Sequence, residues 1–136
     1  MNKLSMSQED YIEAIYMVLE DNPVCRVTDI KSVLRVSKPS IVNALSILKK
    51  DGLINQEKYG YIELTEEGHR VAKGLYAKHS AIRKFLISLF EIDYHDANEL
   101  ACKIEHVVPG KIIKSMESIS KNISPEIKKS LLKEKK

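Results

Sequence analysis

The spacing of apolar residues changes period within the first half of the chain, and few folds accommodate that change. Tyr11, Ile12, Ile15, Tyr16, Val18 and Leu19 recur at three- and four-residue intervals, which predicts a helix from about Ser7 to Glu20. Ser5 with Gln8, or Ser7 with Asp10, supplies a capping box, and Asn22-Pro23 ends the helix. A short amphipathic helix follows over Asp29–Leu34, with Thr28 as its expected N-cap. A turn over residues 35–40 leads to a third helix, from Pro39 to about Lys50, capped by Ser37 and stopped by Asp51-Gly52. Ile41, Leu45 and Leu48 form its inward stripe. The period then falls to 2: residues 53–58 and 61–64 flank a turn at Tyr59-Gly60 and predict a β-hairpin. Helical spacing returns at Thr65-Glu66-Glu67-Gly68, where a Thr followed by acids reads as a cap. That helix is expected to run unbroken from Glu66 to Phe90, with further helices over about Asp96–Val108, about Lys111–Ser120 and from Ser124-Pro125.

Helix, turn, helix and hairpin in that order describe a winged helix-turn-helix. The expected fold is therefore mainly α: an N-terminal winged helix-turn-helix with a small hairpin wing over residues 1–70, and a helical domain over 71–136. The boundary falls inside the long helix, near residues 65–75.

Composition narrows the function. The chain has 136 residues, 43% of them hydrophobic and 30% charged, an ordinary soluble balance. There is no apolar run near the length of a membrane span, and the first residues lack the basic-then-apolar order of a signal peptide. Two cysteines, Cys25 and Cys102, are too few for a disulfide scaffold, so a reducing cytoplasm is the expected location. None of the five glycines lies in a phosphate-cradling loop, and G-x-S-x-G and H-E-x-x-H are missing. An enzyme is not expected.

The net charge is only +3, but it is unevenly placed. Between residues 26 and 58 stand Arg26, Lys31, Arg35, Lys38, Lys49, Lys50 and Lys58, against Asp29, Asp51 and Glu57. The same segment holds the second helix of the pair, which can enter a major groove with its N-terminal side chains leading. Ser37, Lys38, Pro39, Ser40, Asn43, Ser46 and Lys49 fall on its outer face or leading end. Asn pairs bidentately with adenine, and lysines neutralise phosphates. Arg26, Thr28 and Lys58 flank this face and complete the expected DNA-contacting set. A winged helix used for protein contacts would carry the same lysines as a solvated face, and would give a flat salt response with DNA.

A second constellation concerns metal. Asp10 and Glu13 are spaced i, i+3 on the first helix, and Cys102, Glu105 and His106 are spaced i, i+3, i+4 on a later one, with His79 on the long helix between. Thiolate, carboxylate and imidazole together suit a first-row divalent ion. Read by spacing alone, the acids are equally first-turn residues favoured by the helix dipole, and Cys102 a buried thiol beside a surface pair. A metal-independent regulator sensing a small organic ligand would treat these residues as incidental. A metalloenzyme would need an open coordination position and a substrate-sized loop. Cys25 reads as a small core residue, and His69 and His95 as surface histidines.

Together these motifs resemble the diphtheria toxin repressor family, the metal-activated iron and manganese repressors. The resemblance runs from residue 5 to about 125 and is carried by Asp10-Tyr-Ile-Glu13-Ala-Ile-Tyr, Val36-Ser37-Lys38-Pro39-Ser40-Ile-Val, Leu64-Thr65-Glu66-Glu67-Gly68, His79 and Cys102-Lys-Ile-Glu105-His106-Val. It implies a winged helix joined to a helical metal-binding and dimerisation domain, in the short form shared with manganese transport regulators. It also implies a homodimer on palindromic operator DNA, without membrane or organic substrate, repressing genes of metal-ion homeostasis. Glu105 and His106 match ligands of both branches, Cys102 the iron branch, and Asp10, Glu13 and His79 the manganese branch. The iron branch's ancillary site wants an acid at position 83 and His at 98, where this chain has Arg83 and Asn98; Glu99, one turn before Cys102, is a substitute carboxylate. Cys102 leans the set toward Fe(II) and Asp10 toward Mn(II), with Zn(II), Co(II) or Ni(II) accepted in vitro. In the mechanism this implies, metal ties the first helix to the dimerisation domain and fixes the separation of two recognition helices.

Overall fold

The computed structural model describes residues 4–57 and 60–132. Among the described residues, seven helices and one two-stranded antiparallel sheet follow in the order α1 (Met6–Asp21), α2 (Val27–Leu34), α3 (Lys38–Lys50), β1 (Ile54–Gln56), β2 (Ile62–Leu64), α4 (Glu66–Phe90), α5 (Tyr94–Ile104), α6 (Gly110–Asn122) and α7 (Pro125–Leu132). The fold is mainly α, with a hairpin wing after the helix-turn-helix. The chain divides into two compact units, Met1–Leu75 and Tyr76–Lys136, and α4 carries the division.

In the first unit α1 contacts α2, α3 and β2, while α3 contacts α2 and β1. Ile12, Ile15, Ile30, Ile41, Leu48, Leu53, Ile54 and Ile62 are almost completely buried. Each such aliphatic side chain contributes about 1.5–3 kcal/mol relative to exposure. The local signals act as their chemistry dictates. Ser5 and Gln8 form a reciprocal capping box at α1. The Ser37 hydroxyl accepts from the Ser40 backbone N–H and caps α3, with Pro39 in its first turn. Gly52, at φ +76°, takes the left-handed conformation that ends α3 and turns the chain into β1.

Several boundaries differ from the sequence expectation. Thr28 does not cap α2; Arg26 holds that position, and its backbone N–H donates to the Asp29 carboxylate at 2.8 Å. Thr65 does cap α4, accepting from the Gly68 N–H, but no acid reciprocates; its hydroxyl donates instead to the Gly52 carbonyl at 2.7 Å. The strands are shorter than expected, pairing Ile54 with Leu64, Asn55 with Glu63 and Gln56 with Ile62. The Glu57 N–H donates to the Tyr61 carbonyl and the Gly60 N–H to the Glu57 carbonyl. Lys58 and Tyr59, and with them part of the expected turn, lie outside the described residues.

The second unit has its own core. Ala81, Ile82, Leu86, Ala97, Ala101 and Ile113 are buried, with Phe85, Ile87, Ile92, Ile104, Val108 and Met116 packed against them. The helix expected over Asp96–Val108 begins at the Asp93 cap and ends at Ile104. Glu105 is its C-cap, in helical conformation, and His106 lies in the turn that follows. The approaching Pro109 blocks continuation and caps α6 instead.

Gly68 is a packing requirement. A Cβ there would stand 1.8 Å from the Leu53 carbonyl oxygen, which is backbone and cannot step aside. Gly68→Ala is expected to destabilise the first unit by about 1–3 kcal/mol or more. Urea unfolding followed by circular dichroism checks this; an unchanged midpoint would mean that α4 is not seated against Leu53 in solution.

Candidate metal centre and nucleic-acid interface

The second unit brings together His79 from the middle of α4, Cys102 from the last turn of α5 and Glu105 from its C-cap. One donor atom from each lies within 4.8 Å of the other two. The helical spacing of Cys102 and Glu105 survives the early end of α5, because the Glu105 N–H still donates to the Ala101 carbonyl. His79 is 3% exposed and Glu105 1%, whereas Cys102 is exposed. His79 Nδ1 stands 3.4 Å from Glu105 Oε2, yet among the described residues neither that nitrogen nor either Glu105 oxygen has a hydrogen-bond partner. A buried carboxylate and a buried imidazole nitrogen left without hydrogen bonds are costly unless a cation engages them. Thiolate, carboxylate and imidazole are the donor set of a first-row divalent ion, so the residues fit such a group. His106 Nε2 lies 3.8 Å from Glu105 Oε1, at the edge of the same cluster.

Electrostatics agrees with the geometry. Burial alone would lower the pKa of His79, but its interactions with Cys102, Glu105 and Asn98 outweigh burial and push it from 6.5 up to about 11. At neutral pH a binding metal must therefore displace a proton from this ring.

The remaining ligand candidates are placed as follows. Glu13 is buried and Asp10 half-buried on α1. Glu99 faces solvent and pairs with His95 at 3.5 Å, apart from the His79 cluster. His69 is exposed, edge-on to the Tyr16 ring at 5.5 Å. Cys25 is fully buried, and that burial, with Asp29 nearby, pushes its thiol up to about 12. Sequence reasoning missed the partner of His79. Asn98, noted only as a departure from the family pattern, holds its Oδ1 2.7 Å from His79 Nε2 and accepts there from Arg83 Nη1 at 3.2 Å.

In the first unit, Lys38, Pro39, Ser40, Asn43, Ser46 and Lys49 are exposed on α3, opposite the buried Ile41, Ala44, Leu45 and Leu48. Ser37 is exposed too, but its hydroxyl is engaged in the cap and with Ser40 Oγ at 2.8 Å. Thr28 is exposed on α2. Arg26 donates to the Tyr61 hydroxyl at 3.2 Å, with its guanidinium 5.0 Å from that ring's centre, which ties the segment before α2 to the wing. Lys58 lies outside the described residues. Val42, 52% exposed beside Asn43, was missed. Its signal was its position off the Ile41–Leu45–Leu48 stripe, and an apolar side chain there can meet a thymine methyl.

Residues 3–62 match the family model for the iron dependent repressor N-terminal DNA binding domain, and residues 65–126 that for the iron dependent repressor metal binding and dimerisation domain. The chain belongs to the iron-dependent repressor family. Its members are metal-dependent, DNA-binding transcriptional repressors and not enzymes. The chain is 34% identical over 115 residues to an uncharacterized HTH-type transcriptional regulator of Methanocaldococcus jannaschii, covering 84% of this chain and 92% of that one. It is 39% identical over 80 residues to the HTH-type transcriptional regulator MntR of Bacillus subtilis, covering 59% of this chain and 56% of the relative. Among solved structures, the manganese regulator SloR superposes with a TM-score of 0.74 at 25% identity, over 85% of this chain and 54% of SloR. The chain thus spans little more than half the length of MntR and SloR. Among the described residues no helix is long and apolar enough to cross a membrane.

The two cysteines should differ sharply toward a thiol reagent. Cys102 is expected to react in the native protein, Cys25 only after unfolding, and divalent metal should slow the first reaction without touching the second. Time-resolved thiol titration with and without Mn(II) or Zn(II) checks this. Equal reactivity of both thiols, or no protection of Cys102, would contradict the placement.

Proposed function

We propose that this chain represses genes of metal-ion homeostasis, and that Fe(II) or Mn(II) held by His79, Cys102, Glu105 and His106 switches its binding to operator DNA. The observation that supports this most is the trio of converging donors in the second unit, two of them buried, whose Glu105 oxygens and His79 Nδ1 lack hydrogen bonds. Asp10 and Glu13 complete the ligand set; their part rests on the family pattern, as does that of Glu99 as an auxiliary carboxylate. A thiolate at 102 favours Fe(II) over Mn(II), while the added carboxylates keep Mn(II) in range; Zn(II), Co(II) and Ni(II) would bind in vitro.

On the DNA side, α3 enters the major groove. Asn43 reads a base edge, Ser40 and Val42 lie beside it, and Lys38 and Lys49 neutralise phosphates, with Ser37 and Pro39 shaping the leading turn. Arg26, Thr28 and Lys58 reach the backbone to either side. A homodimer presents two such helices to a palindromic operator, with the half-site separation set by the assembly. Metal favouring the DNA-competent state shifts the population toward it, and by linkage DNA tightens metal binding by the same factor.

Glu105→Ala tests this directly. It removes the most buried donor of the site and leaves the winged helix intact. Metal-stimulated binding to a palindromic promoter fragment, measured by fluorescence anisotropy at fixed salt, should fall to the level seen with chelator, with the helical circular dichroism unchanged. Operator affinity that still rises with metal in this variant would overturn the assignment.

A further inference from the structure

His79 has two ring nitrogens, and which one can meet a metal depends on what holds the other. The second unit answers this with two residues outside the ligand set. Asn98 Oδ1 lies 2.7 Å from His79 Nε2 and 3.2 Å from Arg83 Nη1. Arg83 is buried, its Nη2 donates to Ser80 Oγ at 3.3 Å, and its guanidinium lies 4.8 Å from the Tyr94 ring centre. An arginine only donates. The carboxamide atom it faces must therefore be oxygen, since the amide nitrogen would set donor against donor. An oxygen shared with Arg83 can only accept from His79, so Nε2 carries a proton. Nδ1, directed at Glu105 Oε2 and within the Cys102 cluster, is then the nitrogen left to donate its lone pair.

We propose that Arg83 and Asn98 are positioning residues for metal binding: Arg83 fixes the orientation of the Asn98 carboxamide, and Asn98 fixes His79 as an Nδ1 ligand. The inference rests on the reading that His79 holds metal. It gives a role to the two positions at which this chain departs from the iron branch's ancillary site, with a side-chain cation and its acceptor standing there. Partners of this outer kind orient a ligating imidazole and change metal affinity by about 10–100-fold when removed.

The test uses the full chain with 15N-labelled histidine, loaded with 113Cd(II), a diamagnetic ion that accepts thiolate. The expected spectrum shows cadmium coupled to His79 Nδ1 and a proton retained on Nε2. Coupling to Nε2 overturns the inference while the metal reading stands. Cadmium bound without coupling to either His79 nitrogen, or not bound at all, overturns both. Variants then separate positioning from simple packing. Asn98→Leu should weaken Cd(II) binding by about 10–100-fold and lose the defined Nδ1 signature. Asn98→Asp keeps the acceptor and should restore both. Arg83→Met keeps the buried stem but frees the carboxamide to turn, and should give a mixture of ring states. An Asn98→Leu variant that keeps wild-type affinity and Nδ1 coupling would contradict the role. The coupling pattern of the unaltered protein decides the ring nitrogen even where a variant fails to fold.

Discussion

The second unit depends on a buried acid without a hydrogen bond. Glu105 is almost fully enclosed, and both its oxygens lack hydrogen-bond partners among the described residues. Folding does not tolerate such a group without compensation, because a carboxylate removed from water costs several kcal/mol unless a cation answers it. In the metal-free chain the answer at hand is a protonated His79 ring, whose pKa is pushed up to about 11. A divalent ion offers a stronger one. The same constraint thus explains why the imidazole lies beside the acid, why it holds its proton in the absence of metal, and why a dication can replace that proton.

The two units solve different problems with similar means. The first buries an aliphatic core and turns Asn43, Ser46 and the lysines of α3 outward, with Val42 and Ile47 exposed among them. The second packs Ala81, Ile82 and Leu86 of α4 with Ala97 and Ala101 of α5 and Ile113 of α6 in one core. Across that core His79 lies within a hydrogen bond of Asn98. Helices hold His79 and Cys102, and the turn that ends α5 holds Glu105 and His106.

Much of this was legible in the sequence. Periodicity placed the helix-turn-helix, the hairpin and the limits of α4, because strong apolar stripes and turn residues act locally. Ser5 and Ser37 announced their caps for the same reason. Thr28 misled because Asp29 takes the Arg26 backbone N–H and starts α2 two residues early. Arg35 closes α2 in the left-handed region at φ 55°, a conformation that sequence patterns assign to glycine or asparagine. The ligand candidates were visible as spacing, but the family motifs and not the spacing singled them out. The Arg83–Asn98–His79 chain was invisible, since it joins residues on α4 to one on α5 by hydrogen bonds that no periodicity encodes. Glu99 looked equivalent to its neighbours in sequence, and its solvent-facing pairing with His95 sets it apart.

The central claim is that Cys102, Glu105 and the imidazoles hold a metal ion in one inner shell. X-ray absorption at the zinc edge of the Zn(II)-loaded chain tests it most directly. The account predicts one sulfur at about 2.3 Å together with nitrogen and oxygen neighbours near 2.0–2.2 Å, including imidazole scattering, and loss of the sulfur in Cys102→Ser. A shell of oxygen and nitrogen alone in the unaltered protein, or zinc that washes off entirely, would contradict it.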